Sequence, residues 1–182
     1  ELNKKLYLYN NHNATKDKLF IDKILNNNIL ELQKNFNAME SIIYNISIIL
    51  SNINEKNNIY MSGMGKSGYI CKKSASTWQS LSIKCSYIDF PNLPHGDFGV
   101  FRDGDILIVV SNGGNTKEVI EVLKYIKDTL KKKINIISIV ANAKNEMEKY
   151  SNFTFVLNEI KEADDINMTP STSSLIFMSL LD

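Results

Sequence analysis

Residues Ile59-Tyr-Met-Ser-Gly-Met-Gly-Lys-Ser-Gly68 decide how this chain is read: a short apolar run breaks into a glycine loop that carries one lysine. A strand feeding such a loop, with a helix after it, makes an anion site. The first backbone N–H groups of the helix point outward, and its dipole adds partial positive charge there. Asp105-Ile-Leu-Ile-Val-Val-Ser-Asn-Gly-Gly-Asn-Thr116 repeats the arrangement. Two such loops at the ends of two strands suit one small phosphorylated ligand held from two sides.

Outward from these loops, strands and helices alternate. Strands are expected at 59–63, 85–89, 105–110, 134–140 and 153–157, and helices at 66–82, 115–130, 144–150 and 171–181. A loop with Pro91 and Pro94 follows the second strand. Apolar strands such as Ile-Leu-Ile-Val-Val imply a parallel sheet covered on both faces, an α/β fold. Ligands of such sheets bind beyond the carboxyl ends of the strands, where both glycine loops sit. Before the sheet, Ile21, Leu25, Ile29, Leu32, Phe36, Met39, Ile43, Ile46 and Leu50 recur at three and four, a helical stripe over 15–50. It reads as one long helix that Asn26-Asn27-Asn28 could split in two. Residues 1–14, with His12, read as a polar, Asn-rich arm, and 15–182 as one domain. The chain opens on Glu1 rather than Met and its last helix stops at Asp182, so a segment of a longer protein is expected.

Bulk composition excludes several classes. At 182 residues a single domain buries roughly 70% of its unfolded surface. The net charge of +1, with one arginine (Arg102), argues against a dedicated nucleic-acid binder. No apolar run approaches the roughly 18 residues that span a bilayer, and no signal-peptide pattern opens the chain. Cys71 and Cys85 show neither C-x-x-C nor zinc spacing and read as reduced thiols of a cytoplasmic protein. No His/Cys/Asp set has metal-ligand spacing, so neither metal nor cofactor is expected. The Asn, Ile and Lys excess, with Lys72-Lys73 and Lys131-Lys132-Lys133, reads as compositional bias and solvated faces. Trp78, Phe177 and Met178 read as core.

The first loop admits three readings. Gly63-x-Gly65-x-x-Gly68, with Asp89 21 residues beyond, satisfies the dinucleotide fingerprint as a string. Lys66 inside the turn, and a second glycine loop that a plain NAD site does not need, count against it. A Walker A loop on Gly65-Lys66-Ser67 needs glycine at position 60, which is Tyr60. The third reading is a sugar-phosphate cradle.

Five blocks carry that third reading: Gly63-Met-Gly-Lys-Ser-Gly68, Pro94-His-Gly-Asp-Phe-Gly99, Ser111-Asn-Gly-Gly-Asn-Thr116, Lys161-Glu-Ala163 and Thr169-Pro-Ser-Thr-Ser-Ser174. In this order, from about Asn35 to Asp182, the chain resembles the sugar isomerase (SIS) domain of D-arabinose 5-phosphate isomerases. The resemblance implies a three-layer fold, with a five-stranded parallel sheet flanked by helices and preceded by N-terminal helices. It also implies a homodimer or homotetramer, and isomerisation of D-arabinose 5-phosphate to D-ribulose 5-phosphate through a cis-enediol.

Residue by residue, Ser67, Ser111 and Thr116 present hydroxyls near helix N-termini, which suits both phosphate binding and plain capping. The resemblance makes them phosphate ligands, joined by Gly65, Asn112, Gly113, Asn115, Ser171 and Thr172. Lys66 is costly to bury without an anion, and by resemblance it binds and polarises the open-chain sugar. His95 can shuttle a proton, bond sugar hydroxyls, or simply organise its loop, with Asp97 fixing that loop. Glu162 matches an active-site glutamate of the family and would move the proton between C1 and C2. Its alternative is a solvated loop carboxylate, and Glu159 and Asp164 lie close enough to compete. Where the family has serine and glutamate in the second loop, this chain has Gly113 and Asn115, and Asp164-Asp165 replaces a Cys-Pro pair. An amide cannot carry a proton, so a non-catalytic sugar-phosphate sensor stands beside the isomerase.

Overall fold

The computed structural model describes residues 14–182, so the N-terminal arm and His12 lie outside it, apart from Ala14, which opens the first helix. Five strands, β1 (Ile59–Gly63), β2 (Cys85–Tyr87), β3 (Ile106–Ser111), β4 (Asn135–Val140) and β5 (Phe153–Val156), form one all-parallel sheet in the order β2-β1-β3-β4-β5. Helix α1 (Ala14–Ser51) precedes the sheet, α2 (Lys66–Ser80) joins β1 to β2, α3 (Lys117–Asp128) joins β3 to β4, and α4 (Thr172–Leu181) closes the chain.

Alternation along each strand sends its side chains to two cores. Ile106, Ile108 and Val110 pack with Met61, Ile137 and Ile139 beneath α1, α2 and α4. Leu107 and Val109 pack with Phe90, Phe101, Val119, Leu123 and Ile126 under α3. The result is three layers. Every β3 residue is buried, as a central parallel strand requires.

Helix α1 is a single unbroken helix of 38 residues. The asparagine triplet does not split it and is more than compositional bias. Asn27 Nδ2 donates to Lys161 O and Thr172 Oγ1, and Thr172 Oγ1 donates to Asn28 Oδ1 at 2.7 Å. The apolar stripe is only partly core. Ile46 is buried and Leu32, Met39 and Leu50 are half-buried, but Ile21, Leu25, Ile29, Phe36 and Ile43 are exposed.

Two expected elements come out differently. The helix expected at 144–150 is only a 3-10 turn, Met147–Tyr150. Met147 N donates to Gly114 O, and Glu148 N donates to Asn145 Oδ1. Side-chain and loop partners thus take the N–H groups that a helix would have used. The second strand ends at Tyr87, because Pro91 favours the 3-10 turn Phe90–His95 that follows at once. A second such turn, Asp97–Val100, completes the proline loop.

Candidate active site

The chain leaves β1 toward β2 on one side and β3 toward β4 on the other, so strand order reverses between β1 and β3. That switch point opens a crevice at the carboxyl ends of the two strands. The two glycine loops begin there side by side, with Gly63 paired to Val110.

Steric limits decide the first loop. A Cβ on Gly63 would stand 2.9 Å from Val110 O, and one on Gly68 would stand 2.6 Å from Gly63 O and 3.2 Å from the Tyr87 hydroxyl. Gly65 has φ +56°, the left-handed region, and is the N-cap of α2 with no side-chain cap. Lys66 and Ser67 therefore occupy the first turn, where helix N–H groups lack intrahelical partners. Lys66 is exposed and Ser67 half-buried.

The second loop is braced from within. Ser111 Oγ, buried at the end of β3, accepts from Gly114 N at 3.1 Å. Gly114 has φ +65° and packs on Asn145. Asn115 Oδ1 accepts from Glu146 N at 2.8 Å, and its Nδ2 donates to Lys144 O. Ser111 and Asn115 thus hold the loop's shape. Thr116 is the N-cap of α3, without a side-chain cap bond. Gly113 faces open space.

A cavity of about 780 Å3 opens at the carboxyl ends of β3, β4 and β5. Asn112, Gly113 and Glu162 of the expected residues line it. Lys66, Ser67, His95, Ser171 and Thr172 do not. Asn142, Lys144 and Asn158 line it without having been expected, although their position just past the ends of β4 and β5 was the available signal.

Glu162 is neither solvated nor free. It is 5% exposed, and its carboxylate accepts from Ser171 N (3.0 Å), Ser173 N (3.2 Å) and the Ser173 hydroxyl, with Ser171 Oγ at 3.4 Å. An anion at the amino end of α4 is where the helix dipole favours it. Its own N–H donates to Asn167 Oδ1. Asp164 has different work. Against the cost of partial desolvation, the N–H groups of Thr169, Met168 and Ile166 hold its carboxyl below the usual range. Glu159 is exposed at the cavity rim.

His95 is exposed at the end of its 3-10 turn. That loop is organised by Asp89, which accepts from the Tyr87 hydroxyl and Asn92 Nδ2, and by Arg102, which donates to Gly99 O and Phe101 O. Burial, with the neighbouring Asp89 charge, pushes the Tyr87 phenol up to about 12.

Comparison with known proteins gives this geometry a family. The family model described as "SIS domain" matches residues 52–181. An arabinose 5-phosphate isomerase KdsD of Francisella tularensis is 37% identical over 135 residues, covering 74% of this chain and 40% of the relative. An Escherichia coli arabinose 5-phosphate isomerase KpsF is 29% identical over 130 residues, covering 71% of this chain and 40% of its own length. This chain therefore spans less than half of the curated relatives it matches. Among solved structures, a protein of E. coli CFT073 in complex with a sugar phosphate superposes with a TM-score of 0.82 at 23% identity, covering 94% of this chain and 88% of that one. With the family model covering most of the sequence and the sheet matching in fold, the chain belongs to the SIS domain family.

Proposed function

We propose that this chain is the SIS domain of an aldose–ketose isomerase, interconverting D-arabinose 5-phosphate and D-ribulose 5-phosphate. The observation that carries this reading is the pairing of two glycine loops at the switch point with a cavity lined by a buried carboxylate. The phosphate would lie against the amino ends of α2 and α3, bonded by backbone N–H groups and the Ser67 and Thr116 hydroxyls. Lys66 would stabilise negative charge as the enediolate develops. Glu162 would take the C2 proton and return it to C1, giving up part of its bonding to α4 as it does so. His95 would reach the sugar hydroxyls from the proline loop. Assembly into a homo-oligomer and the assignment of Ser171 and Thr172 as ligands belong to the same proposal, although Thr172 already bonds α1.

Proton NMR of D-arabinose 5-phosphate in deuterated water tests the reading. Ribulose 5-phosphate with deuterium at C1, and deuterium at C2 of the arabinose 5-phosphate re-formed from it, is the expected result, and Glu162→Gln should abolish exchange while ligand-induced thermal stabilisation persists. Full activity in Glu162→Gln would remove it as the base. The sensor reading is favoured by one observation, Asn115 in its role as a loop brace. Binding without any exchange in the wild-type chain would select it.

A further inference from the structure

We infer that Lys144 is a phosphate-binding residue of this site, its ammonium meeting the anion in the open space beside Gly113 and so fixing the direction in which the sugar phosphate lies. The inference deepens the sugar-phosphate reading and rests on it. Sequence patterns gave Lys144 no role, because it stands outside both glycine loops and only the fold brings it to one of them.

The segment after β4 is fastened to the second glycine loop. Ala141 N donates to Asn112 O at 3.0 Å and Met147 N to Gly114 O, while the Asn115 side chain bonds both Glu146 N and Lys144 O. The Lys144 N–H is held as well, donating to Asn142 Oδ1 at 2.9 Å. Its backbone is therefore fixed beside the loop. Its ammonium is not: Lys144 is exposed, and among the described residues its side chain has no hydrogen bond or ion pair. Lys23, Lys34, Lys73, Lys127 and Lys132, by contrast, each place the ammonium on a carboxylate or a carbonyl oxygen.

Charge is separated along the cavity. Lys144 stands with Asn112 and Gly113 where the cavity meets the loop, whereas Glu159 and Glu162 follow β5, the edge strand. Among the described residues, Lys144 is the one cation lining this cavity. Lys117, in the first turn of α3, faces Glu121 at 3.9 Å instead. A ligand with an anion at one end and hydroxyls along the rest matches that polarity. An ammonium attracts the anion as a point charge, and carboxylates accept from hydroxyls but repel a phosphate placed among them. Nothing lies within 4 Å of where a Gly113 Cβ would be, so an anion can approach the loop backbone there. The flexible stem of Lys144 reaches into the same opening. The phosphate would then lie at the loop and the carbon chain would run toward Glu162.

Two titrations of the full chain test this, D-arabinose 5-phosphate by calorimetry and inorganic phosphate by phosphorus NMR. Lys144→Met should weaken both about tenfold, the loss of one charge-assisted contact, with Tm unchanged in the absence of ligand. Lys144→Arg should retain most of the affinity, because the charge is kept. Lys84→Met removes an exposed lysine just before β2, at the opposite end of the sheet, and should change neither titration. Unchanged affinity in Lys144→Met, or an equal loss in Lys84→Met, would overturn the inference and leave the sugar-phosphate reading intact. So would a loss for the sugar phosphate alone, which would put Lys144 on the sugar. A wild type that binds inorganic phosphate but not the sugar phosphate would sink that reading, while the Lys144→Met comparison on phosphate would still decide the residue's role. Binding of neither would overturn both.

Discussion

Gly68 and Gly113 show how differently two glycines of the same site can be constrained. The Gly68 Cβ position meets a backbone carbonyl at 2.6 Å, whereas nothing lies within 4 Å at Gly113. Gly68→Ala should cost about 1–3 kcal/mol by overpacking, read as a fall in Tm. Gly113→Ser should stay within about 0.5 kcal/mol of the wild type. On the proposed phosphate site the added hydroxyl should tighten sugar-phosphate binding about tenfold (~1.4 kcal/mol), measured by calorimetry. Asn35 is the third informative residue. It is fully buried, its Nδ2 donates to Glu31 O, and its Oδ1 has no partner among the described residues. Asn35→Leu should raise stability by about 1 kcal/mol in urea denaturation, because an unsatisfied buried carbonyl oxygen is removed.

Among the elements, α1 has the most divided duty. One face holds the loop that carries Glu162, through Asn27, Asn28 and the Lys34 ammonium on Glu159 O, while Asn158 Nδ2 donates back to Lys34 O. Another face, with Ile42 and Ile46, is buried in the core against the sheet. Helix α4 is fixed at both ends: Glu162 anchors its amino end, and at the other Trp78 Nε1 donates to Leu181 O while Lys73 and Ser74 engage Asp182. Lys73 is thus more than a solvated lysine. Glu162→Gln should therefore do two things. Exchange at C2 should be lost, and stability should fall by about 1–3 kcal/mol, because amide N–H groups at the start of α4 lose an ionic acceptor. A variant inactive yet as stable as the wild type would contradict the anchoring role.

For the whole molecule, burial in the core between β1 and α2 makes both thiols reluctant to ionise. Cys71 and Cys85 are pushed up to about 12 by desolvation, from an ordinary value of 9.0. Because the folded-state values are raised, their contribution to stability is fully present below about pH 9 and is lost as pH climbs toward 12. Thermal melts at pH 8, 10 and 11 should show Tm falling across that window, and a thiol reagent should label neither cysteine until the chain is unfolded. No helix among the described residues is long and apolar enough to cross a membrane. By itself the sequence determined the parallel sheet, the strand-end glycine loops and the family, because each rests on short-range signals: apolar strand runs, glycine where the chain must turn, and helix starts after those glycines. The 144–150 segment was misread because the Met147 N–H is taken by Gly114 O, a partner that only folding supplies, and the Glu148 N–H by the Asn145 side chain. Only the tertiary structure decided that Glu162 caps α4, that Thr172 and the asparagine triplet bond one another, and that half of the α1 stripe faces outward. These are contacts between residues up to 145 positions apart, and helical periodicity sets which residues share a face but not which face the core accepts.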